Sequence, residues 1–389
     1  MLFSKPRLFQ FHLRAAAAFA AAALLFVGAA TSAHAQQKTV TVTDVAGRKV
    51  TLQLPVKKAV IAWSGSGGPF MTMSALLGKD VHKHIAAWDE GLAKYRRDMY
   101  EAYVKSVPEL AKLPVVGGPD TGDFNVERVI SLAPDVAIFP LGTKKAVEAG
   151  VGKKLEAAGI PVLYTDYHAE TIENHRNTTL LLGKLFNKEA RAKQLADLYI
   201  SKRKDVEARV AKAKAAGRVA PKVYIEVGSK GPAGFGNTYS SNFMWGGMTT
   251  IAGGNVVTGS VIVDAAPVNP EFLLKSNPDV IVLTGSYWPK TPEALLMGYT
   301  ATPASVQKQL GEFAQRPGWS NFNAIKNKRL YAVHHGAGRE LYDYVTLMAL
   351  GKFLYPEDFK DVNPEAELKA YYKNYLPYDV SGVWFYQWK

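Results

Sequence analysis

The chain contains no cysteine in 389 residues. That excludes disulfide cross-links, a thiolate metal site and a lipid-bearing cysteine. Histidine is scarce: of eight, His12 and His34 fall in the first 35 residues. A receptor for bare metal ion needs several His, Asp or Glu converging, and six histidines with few carboxylates on the expected cleft loops supply that poorly. Neither G-x-S-x-G nor H-E-x-x-H occurs. Gly65-Ser66-Gly67 lacks the nucleophile-elbow spacing, and the glycine-rich stretches 65–68 and 228–236 are not phosphate loops. No convincing catalytic triad can be placed, so catalysis is not expected. No apolar run reaches the roughly 20 residues of a membrane-spanning helix. Acids are outnumbered 34 to 47, for a formal net charge of +13. Such an excess suits solubility or an acidic ligand or partner.

The amino terminus reads as a secretory leader. Lys5, Arg7 and Arg14 form a basic region, Ala15 to Ala30 is a 16-residue apolar run, and Ala33-His34-Ala35 is an A-x-A cleavage site. Cleavage would leave 354 residues with a net charge of +10, enough for two domains. The expected location is the periplasm, without a lipid anchor. Export argues against nucleic acid as the partner, and no block of consecutive basic residues suggests one.

Two stretches align without a gap, 144 positions apart: residues 125–139 and 269–283. Asn125 and Asn269, Glu127 and Glu271, Pro134 and Pro278, Asp135 and Asp279 recur in register. Each Asn suits a helix N-cap, each Glu the positive end of the helix dipole, and Pro270 the first helical position. A short apolar helix follows, bounded by proline, then an apolar run that reads as a parallel strand buried on both faces. Two such units predict two similar α/β lobes.

The surrounding pattern agrees. Residues 40–54 alternate about an Asp44-Val45-Ala46-Gly47 turn, a hairpin. Short strands are expected at 59–62, 85–87, 160–164, 222–227 and 330–333, and helices at 71–77, 147–158 and 342–354. Residues 171–186 read as one helix and 188–216 as a second, 29 residues without Gly or Pro and without a sustained heptad seam. At 1.5 Å per residue it spans about 40 Å, enough to connect two lobes. The expected division is a leader at 1–35, an amino-terminal lobe at 36–168, linker helices at 169–217 and a carboxy-terminal lobe at 218–389.

This constellation resembles the periplasmic substrate-binding proteins of ABC importers for iron–siderophore, haem and cobalamin. The landmarks are Asp44-x-x-Gly47-Arg48-x-Val50, the two repeat units, Gly159-Ile160-Pro161-Val162, Pro317-Gly318-Trp319 and Lys326-Asn327-x-x-Arg329-x-Tyr331, in the family's order from residue 40 to about 335. The resemblance implies two α/β lobes with mostly parallel sheets joined by one long helix. It further implies a solute-binding monomer without intrinsic cofactor, partnered by an ABC permease and its ATPase. Its cargo would be a ferric-siderophore-type chelate, with haem, cobalamin or a nickel chelate as alternatives.

Ligands of open α/β sheets bind beyond the carboxyl ends of the strands. Loops there begin with aromatics: Trp63, Trp88, Tyr164, Tyr239, Trp245 and Trp288. Others carry His334, His335 and Arg339. Flat apolar surfaces with a few cations suit a large anionic metal chelate; each aromatic could equally lid its own lobe's core. A neutral imidazole of His334 or His335 could complete an iron coordination sphere. Adjacent residues of a strand point oppositely, so at most one would face the cleft unless the loop turns. Arg339 could pair with a carboxylate or catecholate oxygen. Arg96 and Arg97 are weaker candidates for the same pairing and read more readily as a solvated helix face, and His82 and His84 read as exposed. By the resemblance, Glu127 and Glu271 would dock one lobe each on arginines of the permease; helix stabilisation alone would also account for them.

Overall fold

A computed structural model describes residues 1–2, 38–65 and 67–389. The leader, beyond its first two residues, lies outside the described residues. Met1–Lys38 forms a separate unit, and Thr39–Lys389 is one compact body, to which everything below refers.

The polypeptide opens with a hairpin, β1 (Lys38–Thr43) and β2 (Lys49–Leu54). The Asp44 carboxylate accepts from the backbone N–H groups of Ala46, Arg48 and Tyr164, and Arg48 lies 4.5 Å over the Tyr164 ring. The opening motif is therefore a clasp holding the hairpin to the first sheet. That sheet comprises β3 (Ala59–Ile61), β4 (Ile85–Trp88), β5 (Val136–Pro140) and β6 (Val162–Thr165), all parallel, in the order β4-β3-β5-β6.

The crossover helix Ile172–Leu185, capped by the Thr171 hydroxyl, leads into the long helix Glu189–Ala215. Beyond it lie β7 (Lys222–Val227), β8 (Thr238–Tyr239), β9 (Asn255–Val256), β10 (Ala265–Ala266), β11 (Val280–Gly285), β12 (Leu330–His334) and β13 (Phe385–Gln387). The second sheet runs β13-β12-β11-β7-β9, parallel except for β13; β8 and β10 form a small antiparallel ribbon. The fold is α/β with two mostly parallel sheets and one long helix, as expected.

The repeat has a common mechanical purpose. Asn125 Oδ1 accepts from Arg128 N–H at 2.8 Å, and Asn269 Oδ1 from Glu271 N–H at 2.8 Å, starting the helices Val126–Ser131 and Pro270–Ser276. Asp135 Oδ2 then accepts from the N–H groups of Lys57 and Lys58, and Asp279 Oδ2 from that of Lys222. In both copies the aspartate fastens the start of the neighbouring strand, β3 or β7, before β5 or β11 enters the sheet.

Three apolar clusters fill the body. One lies on one face of each sheet: around Phe139 and Tyr164 in the first, and around Leu283 and Trp319 in the second. The third is continuous across both sheets. It joins Ile61 and Ile138, Val223 and Val282, and Leu195, Tyr199 and Val206 of the long helix.

Two expectations need correction, and one further element comes to light. The helix expected at 147–158 is broken at Gly150, whose backbone leaves helical geometry; a regular turn resumes at Gly152–Ala157. His82 and His84 are half-buried rather than exposed; the His84 ring stands 5.5 Å from Phe186. The aromatic end of the chain, left unexplained by the sequence, is structural. Phe385–Gln387 pairs antiparallel with β12, and the Trp384 carbonyl accepts from His334 N–H at 2.8 Å. Just before it, the Pro377 carbonyl accepts from Ser106 Oγ at 2.6 Å, and Tyr378 meets Tyr103 at 4.6 Å. The tail thus completes one sheet and reaches the helices of the other.

Trp384 is 3% exposed and packs on His334, Tyr299 and Tyr372. We expect Trp384→Ala to cost about 3–5 kcal/mol of unfolding free energy, as for large core truncations. Denaturant titration followed by circular dichroism would measure it; a cost under about 1 kcal/mol would show that the tail is not part of the core.

Candidate functional site

A cavity of about 410 Å³ opens between the two sheets. One wall comes from residues after β3 and β4: Trp63, Gly65 and the 89–96 segment, with the loop 117–123 beside them. The other comes from residues after β11 and β12: Ser286, Trp288, His335, Gly336 and Arg339. Both sheets therefore present their carboxyl ends to one space.

The expected aromatic wall divides in two. Trp63 and Trp288 line the cavity. Trp63 sits at φ 54°, its backbone N–H held by Asp89 Oδ2 at 2.6 Å and its indole N–H donating to Asp120 Oδ2 at 3.1 Å. Left-handed backbone at a bulky residue is costly and persists where the surroundings over-determine it; here it turns the indole out of the strand direction.

Trp88, Tyr239 and Trp245 are core residues and do not line the cavity: they are 4%, 3% and 1% exposed. Trp88 closes the core against Phe70 at 5.3 Å, Tyr239 stacks on Phe243 at 6.5 Å, and Trp245 lies behind His335 at 5.9 Å. Tyr164 is likewise buried, in its own lobe's cluster. At these positions burying a large ring under its own sheet outweighed presenting it to the cleft.

The two histidines part as strand alternation requires. His335 lines the cavity, its Nδ1 2.8 Å from Thr284 Oγ1, its ring between Trp245 and Trp288. His334 turns into the core, 0% exposed against Trp384 at 4.3 Å, and is no candidate for coordination from the cavity. Burial, and then the neighbouring arginine charges, holds both imidazoles well below their ordinary pKa. His335 is therefore the neutral form that can accept a hydrogen bond or ligate a metal.

Arg339 occupies a left-handed position, φ 61°. Its nearest polar partner is His168 Nε2 at 3.4 Å, and no carboxylate lies within 4.0 Å. Burial, and then the charge of Arg96, lowers its pKa. Arg96 is buried rather than solvated. It breaks the backbone between the helices Gly91–Tyr95 and Arg97–Ser106 (φ −139°, ψ 59°), so it turns inward while Arg97 stays outside, paired with Glu101. Arg96 is 3% exposed, lines the cavity, and donates to Glu340 Oε1 at 3.1 Å across the two halves. Its Nη2 and Glu340 Oε2 are buried with no hydrogen-bond partner.

The cavity also carries carboxylates that the sequence reading undercounted: Asp89, Glu90, Asp120 and Asp123. They are committed. Asp89 accepts from the N–H groups of Trp63, Ser64 and Gly91. Asp123 accepts from Gly118 N–H and the Thr121 hydroxyl. Glu90 pairs with Lys94 at 3.3 Å, and Asp120 holds the Trp63 indole. Of the three cationic side chains that line the cavity among the described residues, Lys94 and Arg96 have carboxylate partners and Arg339 has none.

Among the described residues, one group of His, Asp and Glu converges closely enough to hold a cation: Glu170, His175 and Asp343, whose donor atoms lie within 4.8 Å of one another. His175 Nε2 is 3.0 Å from Asp343 Oδ2 and its ring stacks on Tyr199. This group is outside the cavity lining. Glu127 and Glu271 are both exposed, and neither lines the cavity.

Burial, and then the Arg339 charge, pushes His168 down to about 4. His168, His334 and His335 should therefore stay neutral at pH 5.5 in the folded chain, readable from imidazole nitrogen shifts in NMR; a midpoint near 6.5 for any of them would contradict the site's description. The sign follows. The unfolded chain takes these protons below about 6.5, so each histidine works against folding as pH falls, His168 until about 4. Glu340, pushed up to about 7 by burial, acts oppositely. Its folded carboxyl keeps a proton the unfolded chain has released, and that stabilisation is lost as pH rises toward 7.

The family model described as periplasmic binding protein matches residues 76–336. A crystal structure of the TroA-like periplasmic binding protein FepB from Veillonella parvula is 45% identical, covering 90% of this chain and 100% of that one, with a TM-score of 0.87. The molybdate-binding protein MolA of Haemophilus influenzae is 24% identical over 86% of this chain and 90% of its own. The haem uptake protein IsdE of Staphylococcus aureus is 28% identical over 58% and 68% respectively. With two parallel sheets facing a shared cavity, one long helix and a family match over most of its length, the chain belongs to the periplasmic binding protein family, the solute-binding components of ABC transporters.

Proposed function

We propose that the chain captures an anionic metal chelate of the ferric-siderophore type in the cavity and delivers it to a membrane permease and its ATPase. Residues 36–168 and 218–389 act as the two gripping halves, with 169–217 as connector. The carrying observation is Arg339. A half-buried guanidinium with no carboxylate partner among the described residues leaves its charge unanswered, and a ligand anion supplies the missing charge. Trp63 and Trp288 offer flat faces for an aromatic chelator. The volume, about 410 Å³, falls within the range of small-molecule sites. A bare tetrahedral oxyanion, such as the molybdate named for MolA, would leave much of it empty. A bare metal ion fits less well, because the cavity carboxylates are already hydrogen-bonded or paired.

The alternative cargo is haem, a corrinoid or a nickel chelate, favoured by one feature: His335 is neutral, lines the cavity and has Nδ1 engaged by Thr284, which leaves Nε2 for a metal. No resident cofactor is needed in either case, since the metal travels with the cargo. The chain acts as a binder without catalysis, from the periplasm; no helix among the described residues is long and apolar enough to cross a membrane. Mass spectrometry showing a chelate altered on incubation would instead favour an enzyme.

Protein purified from its native periplasm should carry its cargo. A broad charge-transfer band with an iron-containing chelate by mass spectrometry is expected; a Soret band would select haem. Arg339→Gln should weaken binding of that cargo roughly 10- to 150-fold, the value of a charge-assisted hydrogen bond, in fluorescence titration. Unchanged affinity would remove Arg339 from the site. For docking, we propose Glu127 and Glu271 as the acids that meet arginines of the permease. Reversing both to Lys should abolish uptake into cells with cargo affinity intact, and normal uptake would refute the role.

A further inference from the structure

Large apolar side chains on this surface are few. Among the described residues of Thr39–Lys389 the exposed ones are Tyr95, Val115, Ile130, Val219, Val261, Val263 and Leu274. Tyr95 belongs to the cavity wall. Of the others, Ile130 and Leu274 hold the same position in the two repeat units, three residues after Glu127 and Glu271. Packing does not require this. In each copy the preceding residue carries the buried face: Val129 and Leu273 are 0% and 1% exposed, against 39% and 43% for Ile130 and Leu274.

Residues three apart are neighbours on a helix. Glu127 with Ile130, and Glu271 with Leu274, thus form matched acid–aliphatic pairs on the outward faces of two corresponding helices. Val115, 56% exposed, is next in sequence to Val116, whose carbonyl accepts from Asn125 N–H at 2.8 Å at the start of the first helix. Val263, 87% exposed, precedes the second helix by a few residues. Leu274 rests over Gly318: a Cβ there would stand 2.5 Å from Leu274 Cδ2. The Pro317-Gly318-Trp319 turn therefore sets how far this side chain stands out.

Single exposed aliphatics are ordinary; an exposed branched aliphatic beside a glutamate at the same repeat position in both halves is not. We infer that the two pairs are twin anchors for the permease, in which Ile130 and Leu274 supply affinity while the glutamates set encounter and register. This rests on the docking role proposed for Glu127 and Glu271. Interfaces draw most of their affinity from a few desolvated anchors, and rim charges act chiefly on association. Two equal anchors fit a partner with two equivalent sockets, each apolar and flanked by a basic side chain. A second copy of this chain fits badly, since it would set glutamate against glutamate.

The test titrates cargo-loaded protein against its permease–ATPase complex in nanodiscs, reading stimulated ATPase activity at low and high salt. The variants are Ile130→Ser/Leu274→Ser and Glu127→Gln/Glu271→Gln. The aliphatic variant should need at least tenfold more protein for half-maximal stimulation at both salt concentrations, with thermal midpoint and cargo affinity unchanged. The glutamate variant should show a defect that shrinks as salt rises. Wild-type stimulation by the aliphatic variant alongside failure of the glutamate variant would overturn this inference and leave the glutamate docking standing. Wild-type behaviour of both would overturn both. Dimerisation of the wild type, lost in the aliphatic variant, would assign the pairs to self-association and overturn the permease assignment.

Discussion

The architecture depends on one apolar cluster that does not respect the boundary between the two sheets. Ile61 and Ile138 from one, Val223 and Val282 from the other, and Tyr199 and Val206 of the long helix share a single continuous core. Separating the halves would expose part of it to water, at roughly 25 cal/mol per Å² of apolar surface. A shared core resists wide separation of the two sheets, so the walls of the cavity are tied to one another through it.

Within that frame the site is an exercise in charge assignment. Several carboxylates and cations face one space, yet nearly every one is already answered from within the protein. Asp89 caps the β3 loop, Glu90 answers Lys94, and Glu340 answers Arg96. What remains is Arg339, beside the His168 imidazole in a cavity that two indoles also line. The strained backbone at Trp63 and Arg339 belongs to the same design: at both, an unfavourable dihedral accompanies a side chain that lines the cavity.

Much of the fold was legible because it is written in local chemistry. Asn–x–Glu with a later Pro–Asp marks a cap, a helix and a strand entry, and repeating it in register marks two lobes. Asp135 and Asp279 show why the spacing is strict, since each must reach the neighbouring strand's first N–H. The site was less legible because side-chain direction is decided by tertiary context. Trp63 lies just after β3 and Trp88 ends the adjacent β4, and the two look alike in sequence; the first is turned out by its left-handed backbone, the other closes a core. Arg96 and Arg97 are neighbours, and a break in helical geometry between two short helices sends one inward. The tail was opaque for a similar reason, as pairing with β12 is a long-range contact that no local pattern announces. Alternation did anticipate that His334 and His335 would part.

The Arg96–Glu340 pair joins the two halves beside the cavity, with Arg96 in the lining and Glu340 behind it. An anion seated against Arg96 would have to share that guanidinium with a carboxylate the protein already supplies. It would therefore be held less tightly there than by a cation with no internal partner.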